Sequence, residues 1–294
     1  MAAEHAKVLK YFKNVEIVEV YSRTINNAHQ FAMNFNILNY TNNIDDILKK
    51  KIDGIIICVS ADKIYETTKY LLKYNIPLLI EKPVGLNLSE LNDLIKINKI
   101  YNTPNLIGLN RRYYSFFKKI NFKSKAYKGF IIEGHEKINK IKKIIKSNIL
   151  DKWLFANSIH TINLINFFTL GQDYKLLMHT NNLKNDKNIS CIVKTNKNIV
   201  GTYISNWESN GFWSVKLFFN GYHIVLKPLE KCIIINNDGS TLNLKLDKLD
   251  IKFKAGLHFQ ATNFLKLIKT KKNSWPDENL NSIKKTYKLL EKLN

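Results

Sequence analysis

Two uninterrupted apolar segments in the first third of the chain constrain its fold most strongly. Residues 54–59 (GIIICV) and residues 76–80 (IPLLI) carry no charged side chain, as expected of strands that are buried on both faces of a parallel sheet. Residues 62–74 lie between them and have the apolar spacing of an amphipathic helix. A strand, a helix and a second strand in this order predict a βαβ unit.

The same alternation continues on both sides of this unit. Further strands are predicted at residues 15–21 and 105–109, and further helices at residues 26–35, 44–50 and 89–100. The N-terminal part is therefore predicted to be an α/β unit with a doubly wound parallel sheet.

The remainder of the chain has a different pattern, with many short strands and few helices. The predicted strands are residues 129–133, 191–194, 199–205, 213–219, 223–227 and 232–236, and the predicted helices are residues 159–168, 259–270 and 279–293. Asn237-Asp238-Gly239-Ser240 is a hairpin turn signal. We expect two domains, residues 1–115 and residues 116–294, of which the second is α+β with a mostly antiparallel open sheet.

Composition limits the cellular and chemical context. No apolar run of about 18 residues suggests a membrane span, and no basic and apolar leader suggests a signal peptide. Cys58, Cys191 and Cys232 are scattered and lack the spacing of a zinc site or a disulfide framework. These features fit a protein of the reducing cytoplasm without a metal site.

The chain carries a net charge of +22, from 46 basic and 24 acidic residues. A charge of this size indicates nucleic-acid binding when it is clustered. Here the lysines are dispersed among asparagines and isoleucines, and the densest stretch, residues 137–146, has the isoleucine spacing of a solvated helix face. We therefore expect no nucleic-acid partner, although a positive field favours anionic ligands such as phosphates and nucleotide-sugars.

Lys82 directly follows the second apolar segment, within Glu81-Lys82-Pro83. The carboxyl ends of parallel strands are where α/β proteins place their chemistry. There an ammonium group can be partly desolvated, so that its pKa falls and it can donate to a substrate hydroxyl or carbonyl group. By itself the tripeptide also fits a strand that ends in a turn with a solvated lysine.

Further motifs follow Glu81-Lys82-Pro83-Val84 in a fixed order. They are Asn110-Arg111-Arg112-Tyr113, residues 157–164 (NSIHTINL) with His160, Asn206-Trp207-Glu208, Gly211-Phe212-Trp213 and Lys227-Pro228-Leu229-Glu230. In this order the motifs resemble the glucose–fructose oxidoreductase / inositol dehydrogenase (Gfo/Idh/MocA) family of nicotinamide-dependent oxidoreductases, over nearly the whole chain. The tryptophan motifs resemble those of members that act on sugars during polysaccharide assembly.

The resemblance implies a Rossmann-like NAD(P)-binding domain and a C-terminal α/β domain whose open sheet carries the active site and the contact of a homo-oligomer. It implies hydride transfer between a carbon of a sugar, nucleotide-sugar or polyol and the nicotinamide ring, with no membrane partner. Lys82 matches the family lysine that contacts the substrate oxygen and the cofactor ribose. His160 matches the family histidine, the usual proton donor or acceptor, and an imidazole suits that task because its unperturbed pKa is about 6.5.

The resemblance also places the cofactor and the substrate. Where the fold often has an acidic residue for the ribose 2′-hydroxyl of NAD, this chain has Ser22 and Arg23, which suit a 2′-phosphate and favour NADP over NAD. The predicted cofactor contacts are Ser22, Arg23, Thr24, Ser60, Glu81 and Lys82, and the predicted substrate contacts are Asn110, Arg111, Asn157 and Asn163.

Two pairs of side chains have alternative interpretations. Arg111 and Arg112 fit either an anionic substrate and support of the active-site loop, or an ion pair at the domain boundary, and both interpretations stay open. Trp207 and Trp213 fit packing on the sheet better than stacking on a sugar.

Besides Ser22 and Arg23, the chain departs from the family pattern at two further places. A dinucleotide fold opens with a strand and G-x-G-x-x-G/A, whereas this chain begins with a segment like the helix after the glycines, with Ala2 at the third G/A position. In one interpretation, which we favour, the start is assigned to a methionine inside the motif. In the other, the first strand is genuinely missing, the sheet has an unpaired gap and the protein is a non-catalytic binding or partner protein. Where the family often has two aspartates near His160, the chain has Ala156 and Asn163, which supply no carboxylate.

Overall fold

The N-terminal part contains short parallel strands and the helices between them, as the alternating pattern predicts. The computed structural model describes residues 1–143, 145, 147–182, 188–209 and 211–294. The first strands are β1 (Glu19–Tyr21), β2 (Asn39–Thr41), β3 (Ile55–Ile57), β4 (Leu78–Glu81) and β5 (Asn105–Gly108). The first helices are α1 (Ala2–Leu9), α2 (Ile25–Asn34), α3 (Ile44–Leu48), α4 (Ile64–Leu71) and α5 (Leu88–Tyr101).

These parallel strands form two separate sheets. β1 pairs with β2, while β3, β4 and β5 pair in that order. Within the described ranges no strand joins β1 to β3. β4 is the central strand of its sheet, and all four of its residues are buried. This burial explains why its sequence is continuously apolar up to Ile80.

Left-handed asparagines end two of these helices. The predicted helix at residues 62–74 consists of α4 and a 3₁₀ turn, Leu72–Tyr74, which stops at Asn75 with a φ of 53°. α5 stops in the same way at Asn102, with a φ of 52°. Asparagine tolerates this backbone region better than most residues. The two reversals return the chain to β4 and β5, at whose carboxyl ends Lys82 and Asn110 follow.

The C-terminal part is built on one mixed sheet. Its strands are β6 (Tyr127–Glu133), β7 (Tyr174–Asn182), β8 (Asn188–Thr195), β9 (Val200–Asn206), β10 (Ser214–Phe219), β11 (Tyr222–Leu226), β12 (Cys232–Asn236) and β13 (Thr241–Leu244). Their spatial order is β13-β12-β11-β10-β6-β9-β8-β7, and the pair β6–β9 is parallel while the other pairs are antiparallel. The predicted α/β fold with a mostly antiparallel C-terminal sheet is confirmed.

Helices cover this sheet and connect it to the N-terminal part. They are α6 (Ile138–Ile141), α7 (Ser147–Leu150), α8 (Ile159–Phe168), α9 (Lys248–Lys252), α10 (Leu257–Thr270) and α11 (Lys284–Leu293). α8 packs on β6 and β9, and all ten of its residues are buried. α11 lies against both α8 and α5.

α10 returns to the N-terminal part. Its residues Phe264 and Leu267 share one apolar cluster with Leu79 of β4 and Leu106 of β5. The domain boundary near residue 115 stays a prediction. In the described ranges, no helix is both long and apolar enough to cross a bilayer.

Candidate active site

Lys82 lies at the end of the buried strand β4 and reaches across to the C-terminal part. Its Nζ donates a hydrogen bond of 2.8 Å to the carbonyl oxygen of Ala156. Burial of the ammonium lowers the pKa of Lys82 to about 8, and the positive charges of Lys254 and Arg111 act in the same direction. A lysine with this pKa is partly neutral at mildly alkaline pH and can exchange a proton there.

Glu81 is held by a histidine of α1. His5 Nε2 lies 2.8 Å from Glu81 Oε1, and both residues are buried. This contact attaches α1 to the end of β4, next to Lys82. The cofactor contact of Glu81 stays a prediction.

His160 lies in the first turn of α8, directly after a π-helical turn formed by Leu154–Ser158. The residue is 8% exposed, and its Nδ1 has no hydrogen-bond partner within the described residues. Burial and then the positive charge of Lys82 hold the pKa of His160 well below its usual range. The imidazole is therefore neutral at pH 7 and has a nitrogen that can accept a proton.

Arg111 follows β5, and its charge reaches both Lys82 and His160, because it lowers the pKa of each. Its guanidinium lies 5.8 Å from the ring centroid of Trp213 and 3.9 Å from a carboxylate oxygen of Glu230. Its Nε has no hydrogen-bond partner in the described part of the chain. Arg111 thus retains donors for a substrate hydroxyl or anionic group.

The neighbouring Arg112 has a different environment. Its Nη1 donates to Glu278 at 2.8 Å and to Asn163 at 2.9 Å, and its Nε donates to the carbonyl oxygen of Pro276 at 2.8 Å. The Asn163 amide nitrogen donates to Thr286 at 2.9 Å, and Asn163 is fully buried. Arg112 therefore forms an internal ion pair with Glu278, and both polar atoms of Asn163 bond within the protein. The substrate contact of Asn163 stays a prediction.

Asn110 is also engaged within the protein. Its side-chain amide donates to the carbonyl oxygen of Ala255 at 2.9 Å, and the residue is 2% exposed. Gly256, which follows Ala255, has a φ of 83°, and a Cβ at this position would lie 2.1 Å from the Asn110 carbonyl oxygen. Asn110 therefore fixes the entry to α10, and its substrate contact stays a prediction.

Glu136 is a carboxylate that the sequence did not single out. It accepts hydrogen bonds of 3.1 Å from both Asn157 Nδ2 and Ser158 Oγ, and the residue is 5% exposed. Burial raises the pKa of Glu136 to about 7. The predicted substrate residue Asn157 therefore contacts Glu136. The lysine-rich residues 137–146 directly after it indicated a solvated surface, and no local sequence signal marks the carboxylate as buried.

The two motif tryptophans differ in position. Trp207 is 7% exposed and belongs to the main apolar core. Trp213 donates from Nε1 to the His135 carbonyl oxygen at 3.1 Å, and its ring centroid lies 6.1 Å from that of His160. Trp213 therefore borders the site, while Trp207 supports the sheet.

Several predicted cofactor residues follow carboxyl ends of parallel strands, the edge where open α/β sheets bind ligands. Ser22 and Arg23 come after β1 and Ser60 after β3, and Arg23 and Ser60 are exposed. Within the described part Arg23 has no ion-pair partner. Thr24 is the N-cap residue of α2.

A further lysine lies at the N-terminus of α1. Lys254 Nζ is 3.3 Å from Met1 Sδ. A helix N-terminus with a nearby cation suits a phosphate group. Among the described residues neither Arg23 nor Lys254 has an ion-pair partner, so the two side chains supply positive charge that fits the phosphates of a dinucleotide.

Comparisons with known proteins agree with this arrangement. Residues 1–103 match the family model described as "Oxidoreductase family, NAD-binding Rossmann fold". No curated protein matches the chain significantly.

Solved structures are similar over almost the entire chain. A Gfo/Idh/MocA family oxidoreductase from Vibrio cholerae is 15% identical with a TM-score of 0.80, over 99% of this chain and 92% of that one. UDP-N-acetylglucosamine 3-dehydrogenase GnnA from Acidithiobacillus ferrooxidans is 15% identical with a TM-score of 0.75, over 98% and 91%. Myo-inositol 2-dehydrogenase from Lactobacillus plantarum is 19% identical with a TM-score of 0.72, over 98% and 91%.

At these identities the structural similarity shows the fold, and the family model adds the NAD-binding segment. The segment that the family model matches includes Glu81-Lys82-Pro83. Residues 1–103 thus match an NAD-binding oxidoreductase family, and the chain as a whole shares the fold of a solved Gfo/Idh/MocA family oxidoreductase.

Proposed function

We propose that this protein transfers a hydride between the nicotinamide of NAD(P) and a hydroxyl-bearing carbon of a sugar, nucleotide-sugar or polyol. One observation carries the proposal: Lys82, with a pKa of about 8, and a neutral His160 act on each other at the end of β4 and the start of α8. A free imidazole nitrogen can take the proton that an alcohol loses on oxidation, and an ammonium group can stabilise the negative charge that develops on its oxygen.

Each side chain has its own part in the oxidation. The nicotinamide supplies the hydride acceptor when it is bound. The neutral His160 accepts the proton of the hydroxyl group, and the Lys82 ammonium donates a hydrogen bond to the same oxygen as negative charge develops on it. Arg111 binds another polar group of the substrate, and burial of the site keeps water from weakening these interactions.

NADP is the favoured cofactor in this proposal. Arg23 is exposed, lacks an ion-pair partner within the described residues, and follows β1 where a 2′-phosphate would lie. Sugar chemistry is supported by the names of two similar structures, a UDP-N-acetylglucosamine 3-dehydrogenase and a myo-inositol 2-dehydrogenase. The free cysteines support a reducing compartment, the cytoplasm.

A homo-oligomer through the C-terminal sheet is part of the proposal. The outward face of this sheet exposes large apolar side chains: Met178, Val200, Ile204, Phe218 and Ile233. A second copy of the same sheet would cover them, since exposed apolar patches mark interaction surfaces.

The test measures cofactor reduction by the purified protein with UDP-N-acetylglucosamine and myo-inositol as probes and with NAD or NADP as acceptor. We expect turnover with a sugar or polyol and its loss in both Lys82→Ala and His160→Ala, while the exposed-lysine control Lys73→Ala keeps the wild-type rate. Retained turnover in both site variants would reject the assignment.

The split between the two parallel sheets favours a second candidate, a non-catalytic protein of the same fold. It would bind neither NAD nor NADP but would still pair through the C-terminal sheet. Calorimetric titration with NADPH separates the candidates, because the dehydrogenase binds the cofactor and the partner protein does not.

A further inference from the structure

Glu136 is a buried carboxylate that the reaction described above leaves unused. Its backbone N–H donates to the Asn206 carbonyl oxygen at 3.1 Å, which fixes it beyond the end of β6 beside β9. Its Oε1 accepts from Asn157 and Ser158, each at 3.1 Å. Buried carboxylates are rare, and each one requires a partner or a function.

Glu136 and Lys82 are attached to the same short segment. Lys82 Nζ donates to the carbonyl oxygen of Ala156, and the next two residues, Asn157 and Ser158, donate to Glu136. These contacts lie within the π-helical turn Leu154–Ser158, a conformation that is frequent at functional sites. His160 lies two residues after the end of this turn, at the start of α8.

The charges around Lys82 come from four different elements. Arg111 after β5 and Lys254 before α10 lower the pKa of Lys82, while Glu81 and Glu136 raise it. Glu81 is already paired with His5. In the described structure Glu136 has no cationic partner of its own, and its negative charge acts on Lys82.

Other polar groups around these residues do not replace Glu136. His160 is neutral at pH 7 because burial lowers its pKa. Tyr203 of β9 faces Glu136, and burial raises the pKa of this phenol, which stays uncharged. With Glu136 neutral or absent, Arg111 and Lys254 would favour loss of the proton from Lys82.

We propose that Glu136 is a positioning residue of the active site, whose negative charge keeps Lys82 protonated and whose hydrogen bonds fix the π-helical turn between Lys82 and His160. This inference rests on the proposed role of Lys82 in hydride transfer. Burial raises the pKa of Glu136 to about 7, so its charge, and with it the support of Lys82, develops as the pH rises through about 7.

The experiment compares Glu136→Gln with wild type by competitive labelling of Lys82 with acetic anhydride across the pH range, read by mass spectrometry. Glutamine retains an oxygen that can accept from Asn157 and Ser158 but carries no charge. We expect the unprotonated fraction of Lys82 at pH 7 to rise about threefold or more, since the loss of a nearby opposite charge lowers the pKa of an ammonium. The matched control is Glu133→Gln, on β6 itself, which should leave the Lys82 curve unchanged.

An unchanged Lys82 curve in a folded Glu136→Gln protein would overturn the proposal. Should that variant fail to fold, Ser158→Ala tests the same point, because removing a donor to the carboxylate makes Glu136 harder to ionise. It should shift the Lys82 curve in the same direction, and no shift would again overturn the proposal. The labelling does not depend on turnover, so a failure of hydride transfer would be seen separately in the assay of cofactor reduction.

Discussion

Lys82 Nζ donates a 2.8 Å hydrogen bond to the carbonyl oxygen of Ala156, 74 residues further along the chain. The bond joins the carboxyl end of β4 to the π-helical turn before α8. It therefore places a desolvated ammonium beside His160, although the two residues belong to different parts of the fold. The same geometry means that Lys82 carries a cost in stability, which can be measured.

Replacement of Lys82 by methionine is expected to stabilise the protein near pH 6.5 while it removes activity. The folded-state pKa of Lys82 is lowered to about 8, below the unfolded value of 10.5. The charged Lys82 therefore lowers the free energy of unfolding in full at pH values below about 8, and this effect vanishes above about pH 10.5. After allowance for partial exposure and the lost hydrogen bond, we expect a gain of about 1–2 kcal/mol in the free energy of unfolding.

Urea denaturation at pH 6.5 and at pH 10 measures this gain. The gain should shrink at the higher pH, where Lys82 is mostly neutral in the folded protein. Lys73→Met, at an exposed lysine, should show no pH-dependent gain. Equal stability of wild type and Lys82→Met at pH 6.5 would mean that Lys82 is not desolvated.

The pH dependence of the oxidation rate follows from the same two groups. His160 is neutral throughout the neutral range, and Lys82 loses its proton as the pH rises through about 8. We expect kcat/KM to be level from about pH 6 to about pH 8 and to fall at higher pH. A profile with a limb near pH 6.5, as an ordinary histidine gives, would contradict the buried state of His160.

The adjacent arginines provide a matched pair. Arg112→Lys loses the guanidinium group that donates to Glu278, Asn163 and Pro276. This change should lower the free energy of unfolding by about 2–4 kcal/mol. Arg111→Lys is the same change one residue earlier, and it should alter stability by less than about 1 kcal/mol but raise the KM for the substrate. Equal destabilisation by the two changes in urea denaturation would contradict these assignments.

The cofactor preference depends on Arg23. Its guanidinium is exposed after β1, and within the described residues it has no ion-pair partner, so Arg23→Ala should leave the fold unchanged. We expect NADPH affinity to fall about tenfold, since a charge-assisted hydrogen bond contributes about 1.5–3 kcal/mol, and NADH affinity to stay the same. Calorimetric titration of both cofactors checks this, and an equal loss for NADH would show that Arg23 does not contact a 2′-phosphate.

The sequence predicted those features that depend on local pattern. The continuous apolar segment before Glu81 indicated a doubly buried strand, and that strand fixes the place of Lys82. The π-helical turn could not be predicted in this way, because it depends on contacts with Lys82 and Glu136 from other elements.

The direction in which each side chain points could not be predicted from the sequence either. Arg111 and Arg112 are adjacent in a 3₁₀ turn, Asn110–Tyr113, and the sequence left both roles open for both residues. The structure separates them, because the carboxylate that binds Arg112 lies 166 residues later at Glu278. Glu136 was missed for the same reason, since its partner Asn157 lies 21 residues away and its neighbours are surface lysines.

Direct transfer of deuterium is the sharpest test of the Lys82–His160 site. A sugar or polyol that is turned over is deuterated at the reacting carbon and incubated with NADP or NAD, and the label in the reduced nicotinamide is measured by mass spectrometry. We expect the wild-type protein to move the label and His160→Gln and Lys82→Met to do so at least about 100-fold more slowly. Label transfer at the wild-type rate in both variants, or cofactor binding without any label transfer, would contradict the assignment of hydride transfer to this site.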